Sequence, residues 1–296
     1  MSEDKKVLGI DIGGTKVHIG LVQDGQITNE VKLSTSAHAQ QDQILQEIIC
    51  GIEKIMEPDV AGVGIGVPGL VDEANGIVHS VQNIPSWNEV HLKAYLENHL
   101  KKPVCITNDA NSFAAGEKMY GKGKQYKNLV GITLGTGFGT GIIVDHQVYS
   151  GKYSCAGEFG GMPYQDKTIE DYCSGKFFKK IHGMSGIKVQ RLAESGDVKA
   201  LKILEEYGHH LGNALKIILY ALSPDAIFLG GSVCGCFEYF KDAMQKSVQA
   251  FPFKLVTDEL AIECSVIDNA AILGAAALFK MRETEERFVT NKILAL

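Results

Sequence analysis

No stretch of this 296-residue chain approaches the roughly 18 consecutive apolar residues of a membrane-spanning helix. The opening Met1-Ser2-Glu3-Asp4-Lys5-Lys6 lacks the apolar core of a secretory signal, so a cytoplasmic protein with no membrane partner is expected. Positive charge is not in excess: 29 Lys and Arg against 35 Asp and Glu leave a formal net charge of −6. A nucleic-acid partner needs a basic surface to neutralise phosphates, and none is expected here. The 7 cysteines are odd in number and irregularly spaced, which suits reduced thiols rather than a disulfide framework. At this length about 75% of the unfolded surface can be buried, so no staple is required. A Walker A loop is also missing, because no Gly-Lys pair is followed by Ser or Thr.

What the chain has in plenty is glycine: 33 residues, above the usual share of about 7%. The glycines are clustered, and the clusters end β-like apolar runs. Val7 to Ile12 runs into Gly13-Gly14-Thr15-Lys16, Val17 to Val22 reads as a second strand, and Gln26 to Leu33 as a third. His38 to Met56 carries Ile44, Leu45, Ile48, Ile49, Ile52 and Ile55 on one helical face. Val60 to Val67 and Val104 to Thr107 are further strands, Leu92 to Leu100 is a helix, and Asn108 opens another. The lysine-rich segment Gly121 to Lys127 reads as a solvated connection.

Beyond it the opening pattern returns. Leu129 to Leu134 runs into Gly135-Thr136-Gly137; shifted by 122 positions, Gly9 falls on Gly131, Gly13 on Gly135, and Leu21-Val22 on Ile143-Val144. A repeat of this kind predicts a duplicated α/β chain with a crevice between its halves. Later come a long helix whose stripe from Leu201 to Leu222 reads as internal core rather than a dimer seam, a strand Ala226 to Leu229 ending in Gly230-Gly231, and a strand Ala261 to Ile267. An alanine-rich helix follows from about Asn269 to Met281, and Arg282–Glu286 and Glu283–Arg287 have the spacing of helix-surface pairs.

Gly64-Ile65-Gly66-Val67-Pro68-Gly69 matches a dinucleotide fingerprint, but Pro68 interrupts it and a strand and turn follow where a helix should begin. The other glycine loops are hairpin turns, whose consecutive N–H groups can converge on one anion. Asp11 is a carboxylate in an apolar strand beside such a turn. It would repel phosphate unless a cation intervened, so a magnesium–nucleotide site is one reading and an Asp satisfying turn amides the other.

Asp11-Ile12-Gly13-Gly14-Thr15-Lys16, Gly66-Val67-Pro68-Gly69, Asn108-Asp109-Ala110-Asn111, Leu134-Gly135-Thr136-Gly137 and Ala156-Gly157-Glu158-Phe159-Gly160 occur in that order. Together they resemble the ROK family of sugar kinases and sugar-responsive repressors, within the actin-like ATPase superfamily. The resemblance implies a duplicated actin-like (ribonuclease H-like) ATPase fold with two domains around a central cleft. These would be a small N-terminal α/β domain over 1–120 and a larger one over 121–296, whose final helix could pack back on the first. It also implies ATP, Mg2+, a hexose substrate phosphorylated at C6 in glucokinase-like fashion, and a homodimer. Asp109 matches the catalytic base, although helix capping by Asn108 or Asp109 would place the same residues there. Asn108, Glu158 and Glu170 match residues that hold sugar hydroxyls, with Gly69 and Asn83 as further substrate contacts; Asn83 to Trp87 could equally be a packed loop. Gly13, Gly14, Thr15, Lys16, Gly135, Thr136 and Gly137 match the phosphate turns, and Gly230 and Gly231 the loop near the adenosine. Asp11 would act on magnesium through water.

The chain also departs from the family pattern. Gly161 stands where sugar kinases of this kind carry a His, and Met162 to Glu170 replaces their cysteine-rich zinc loop. No structural zinc is expected there. Cys234 and Cys236 read as buried thiols. A catalytically silent sugar-binding or sugar-responsive regulatory protein of the same fold is the competing expectation; the acidic chain leaves no room for a DNA-binding segment before Val7.

Overall fold

Cover on both faces explains the opening strand, β1 (Val7–Ile12), which is buried at nearly every position rather than at alternate ones. The computed structural model describes residues 5–81 and 83–294. After β1 come β2 (Lys16–Gln23), β3 (Gln26–Ser34), α1 (Gln41–Glu53), β4 (Gly62–Val67), β5 (Leu70–Asp72) and β6 (Ile77–His79). Next are β7 (Glu89–Val90), α2 (Leu92–Leu100), β8 (Val104–Asn108), α3 (Asp109–Met119), β9 (Leu129–Leu134), β10 (Phe138–Val144) and β11 (Gln147–Val148). These lead to β12 (Pro163–Tyr164), β13 (Lys167–Thr168), α4 (Ile169–Cys173), α5 (Lys176–Lys180), α6 (Gly186–Glu194) and α7 (Val198–Leu222). The remaining elements are β14 (Ala226–Gly230), α8 (Phe237–Gln249), α9 (Lys254–Glu259), β15 (Ala261–Cys264) and α10 (Ala270–Leu294). Among the described residues no helix is long and apolar enough to cross a membrane.

The chain divides into two compact units: Met1–Gln125 with His146–Ala156 and Ile267–Leu296, and Tyr126–Asp145 with Gly157–Val266. The sequence places a boundary after residue 120 with the final helix able to pack back; α10 does belong to the first unit, and so does the segment 146–156, which that boundary assigns to the second. Its main sheet has the order β3-β2-β1-β4-β8, with β1 antiparallel to β2 and parallel to β4. Ile44, Ile48 and Ile52 of α1 and Leu92 and Leu96 of α2 share a core with Leu8, Ile10 and Ile65. The other face meets α10 at unusually short range. A Cβ on Gly64 would lie 1.8 Å from the Ala275 carbonyl oxygen, and one on Gly9 2.1 Å from that of Ile272. The G-x-G of the fingerprint-like motif thus serves helix-on-sheet packing, Gly64 against α10 and Gly66 against Ser112 of α3, and the strand β5 follows it, paired with β6.

In the second unit β9 is antiparallel to β10 and parallel to β14, which in turn is parallel to β15, repeating the β1, β2, β4 and β8 arrangement. The repeat is not in constant register. Ile12 pairs with Val17 across the first turn, but Leu134 pairs with Phe138 across the second, so the second turn is one residue shorter. Leu21-Val22 therefore corresponds to Ile142-Ile143, not to Ile143-Val144 as a constant shift suggests. β15 stops at Cys264 rather than Ile267, because its partner β14 ends at Gly230. Leu204, Tyr207, Leu211, Leu215 and Ile218 of α7 are fully buried within this unit, as the internal-core reading of the stripe requires. All seven cysteines are free; Cys236 is buried and Cys234 half-buried. Glu286 and Arg287, invoked for surface pairs, lie beyond the described side chains. Arg282 pairs with Glu73.

Candidate functional site

Strand ends bring the carboxylates of the first unit together. Asp11 on β1 lies opposite Gly66 on β4, and Val67 lies opposite Asn108, the last residue of β8. β8 passes straight into α3 with Asn108 as its N-cap, Oδ1 accepting from the Ala110 N–H at 2.8 Å. Asp109 Oδ1 accepts from the same N–H at 2.9 Å, so Asp109 is held in one orientation at the first turn. The Asn108 Nδ2 donates to the Gly69 carbonyl at 3.3 Å and ties the turn after β4 to the cap. Each end of that amide keeps one further donor or acceptor for a ligand.

Asp109 reaches solvent, yet burial among protein atoms pushes its carboxyl above the usual carboxylate range, against the opposing effect of the Ala110 N–H. Asp11 is half-buried and its carboxyl is pushed up to about 6, first by burial and then by the charge of Asp109, with Lys16 pulling the other way. The two acids are therefore close enough to repel.

The first glycine turn stands beside them. The Gly13 N–H donates to the Lys16 carbonyl at 2.9 Å, and Thr35 Oγ1 donates to the Gly13 carbonyl at 2.8 Å. Thr15 and Lys16 are exposed. Asn83 is packed against Gly14, where an added Cβ would come within 2.2 Å of its own Cβ. Ile84 and Trp87 behind it are fully buried, so 83–87 is a packed loop that also presents Asn83 at the turn. Gly69, Asn83, Asn108, Asp109, Asp11 and the turn Gly13–Lys16 thus all lie at one end of one sheet.

The second unit holds the other turn. The Gly175 N–H donates to the Gly135 carbonyl at 2.7 Å and Ser174 Oγ to that of Thr136 at 3.2 Å, which fixes the turn from the α4–α5 side. Gly135 and Thr136 open on a cavity of about 330 Å³ whose walls include Lys176, Lys179, Gln190 and Val233. Gly230 pairs with Thr133, and an added Cβ on Gly231 would come within 2.5 Å of the Leu134 carbonyl oxygen. The loop 230–231 is thereby pinned at the root of the turn, and Ser232 and Val233 after it line the cavity.

Glu158 is exposed and precedes a single 3-10 turn, Phe159–Gly161, that packs on α4. Glu170 is tied to the second turn: Oε2 accepts from the Phe138 N–H at 3.1 Å beside Gly137, and Oε1 pairs with Lys176. The sugar contact expected of Glu170 thus falls on a side chain whose two oxygens are engaged by the second turn and by Lys176. Where the zinc loop would stand, β12 and β13 form a hairpin, and the Tyr164 hydroxyl lies 3.0 Å from His210 Nδ1 and accepts from Asn213 Nδ2 at 3.1 Å. Space within 4 Å of a Cβ on Gly161 is empty. Among the described residues no three His, Cys, Asp or Glu side chains are grouped to hold a metal.

Sequence reasoning missed Lys176, Lys179 and Gln190. Gly175-Lys176 is a Gly-Lys pair, but Phe177 follows where a Walker A loop needs Ser or Thr, and Lys179 and Gln190 carry no local signal.

The raised carboxyl of Asp11 has a consequence for stability. A carboxyl whose folded pKa exceeds its unfolded value favours folding below the unfolded pKa, and that contribution is lost as pH rises through about 6. Asp11→Asn is expected to raise stability at pH 8 relative to pH 5 by on the order of 1–2 kcal/mol while lowering activity. Denaturant melts of both proteins at the two pH values measure it; equal differences at both would contradict it.

The sequence profile of the ROK family matches residues 7–282. The chain is 28% identical over 310 residues to a glucokinase of Thermotoga maritima, covering 94% of this chain and 98% of that one. It is also 28% identical over 301 residues to an N-acetyl-D-glucosamine kinase of Pasteurella multocida, covering 92% and 98%. The crystal structure of a ROK family glucokinase from Streptomyces griseus in complex with glucose and AMPPNP superposes with a TM-score of 0.78 at 27% identity, covering 92% of this chain and 98% of that one.

Proposed function

The chain belongs to the ROK family, and on that premise we propose an ATP-dependent hexose kinase that phosphorylates the hydroxyl at C6. The observation that carries this reading is Asp109, an oriented carboxylate at a strand-to-helix junction whose carboxyl burial raises above the usual carboxylate range. A raised pKa makes a carboxylate a stronger base for the proton of an attacking hydroxyl. As the sugar oxygen bonds to the γ-phosphorus, its proton passes to Asp109 and the bond between γ-phosphorus and the bridging oxygen breaks, releasing ADP. Asn108 and Glu158 hold ring hydroxyls, with Gly69 and Asn83 contributing beside the first turn.

The glycine turns Gly13–Lys16 and Gly135–Gly137 offer N–H groups to phosphate oxygens, and the 330 Å³ cavity takes the nucleoside. Magnesium fits the first unit chemically: the two acids supply hard oxygens, and a cation would relieve the repulsion felt by Asp11. Asp11 would hold it through water, the other ligands being triphosphate oxygens; the ion would neutralise charge on the transferring group.

Lys176 is oriented by Glu170 at the cavity wall. Lys176→Met should raise the KM for ATP about tenfold, the loss of one charge-assisted phosphate contact, with the KM for hexose unchanged. Titrating each substrate at saturation of the other separates the two; a shift confined to the hexose would place Lys176 elsewhere. The kinase reading itself is tested by 31P NMR of the product formed from ATP and glucose or N-acetylglucosamine. A hexose 6-phosphate is expected, and free phosphate alone would contradict the reading.

A further inference from the structure

We infer that Glu73 is a positioning residue for Asp109, acting through Thr107. Glu73 lies in the turn after β5, outside every motif that points to the reaction. Its side chain is nonetheless only 15% exposed and gathers donors from three separate stretches of the first unit. Ser154 Oγ donates to Oε1 at 2.7 Å and Ser150 Oγ to Oε2 at 3.1 Å, both from the segment 146–156. Arg282 of α10 donates to Oε2, and the Thr107 hydroxyl donates to Oε1.

The last of these links reaches the site. Thr107 is fully buried in β8, two residues before Asp109. Its oxygen also accepts from Asn111 Nδ2 at 3.3 Å, and Asn111, itself 1% exposed, belongs to the same first turn of α3 as Asp109. The chain Glu73–Thr107–Asn111 therefore braces the strand end against the helix start, in addition to the cap made by Asn108. A hydroxyl that donates to a carboxylate is a better acceptor for its neighbour, so the two bonds reinforce each other. Without the brace, the side-chain bonds that remain at the junction are those made by Asn108 and Asp109 to the Ala110 N–H and by Asn108 to the Gly69 carbonyl. Displacements of about 1 Å at a reacting group can cost about 10²-fold in rate.

Glu73 and Arg282 line a cavity of about 670 Å³. Neither substitution at Glu73 nor at Arg282 therefore forces a clash.

The inference rests on the kinase reading, and its test separates the two. Thr107→Val keeps shape and removes both bonds; Glu73→Gln keeps length but gives Thr107 and Arg282 a neutral partner. Backbone hydrogen exchange across 108–112 should speed up in both variants, by about tenfold or more in Thr107→Val. The kcat should fall about 10- to 100-fold with the KM for hexose within threefold, and the double variant should be no worse than Thr107→Val alone. Exchange at wild-type rate, or faster exchange with unchanged kcat, would overturn the positioning role. Additive losses in the double variant would overturn the Glu73–Thr107 route. An inactive wild-type protein whose variants still show faster exchange would instead remove the kinase reading and leave the mechanical link standing.

Discussion

Asp109→Asn should lower kcat by at least about 10²-fold and leave hexose affinity within a few-fold. The substitution is chosen because it separates two roles that coincide at this position. An Asn Oδ1 can still accept from the Ala110 N–H, as Asp109 Oδ1 does at 2.9 Å, so the start of α3 keeps its hydrogen bond. What is lost is the ability to take a proton at neutral pH. A variant that melts like the wild type, binds hexose by calorimetry and turns over slowly identifies a base. If kcat stays within about threefold of wild type, Asp109 is a helix cap and the proton goes elsewhere.

The second large effect is on folding. Gly64→Ala places a methyl 1.8 Å from the Ala275 carbonyl oxygen, backbone against backbone, where no side chain can swing aside. α10 would have to lift from β4, separating the sheet from the helix that also packs on Gly9 and Gly20. Overpacking usually costs about 1–3 kcal/mol, and this case belongs at or beyond the top of that range. Thermal melts should show a fall of about 10 °C, given roughly 2–4 °C per kcal/mol for a chain of such size. Gly161→Ala, with nothing within 4 Å of the new Cβ, is the control and should melt with the wild type. Equal melting of the two variants would mean that α10 yields without cost.

Much of this arrangement was legible in the sequence. Apolar runs closing on glycine turns marked β1, β2, β9 and β10, and the 3.6-residue stripe marked α1 and α7, because burial on one or both faces dictates those periods. The ordered motifs located Asp11, Asn108 and Asp109, and the structure sets them at adjacent strand ends. The misses have physical causes. A constant shift of the repeat hid the shorter second turn, since apolar identity alone cannot count residues in a hairpin. Gly9 figures in the sequence as part of the repeat and Gly64 as part of a fingerprint that Pro68 interrupts; that both serve the close approach of α10 is a tertiary fact with no local signature. Glu170 follows a shortened loop, and its partners Lys176 and the Phe138 N–H stand 6 and 32 residues away in the chain, the second beyond the reach of any local pattern. Glu73 and Thr107 were invisible because they meet 34 residues apart in sequence.

The central claim is that a sugar hydroxyl, deprotonated by Asp109, takes the terminal phosphoryl group of ATP. The most direct test is coupled ADP release by the purified full chain with Mg2+ and ATP, run without sugar and then with glucose, mannose, fructose, allose, N-acetylglucosamine and N-acetylmannosamine in turn. ADP should appear only when a suitable hexose is present and match the phosphorylated sugar mole for mole. Silence on every sugar despite measurable hexose binding, or ADP release indifferent to sugar, would contradict the account.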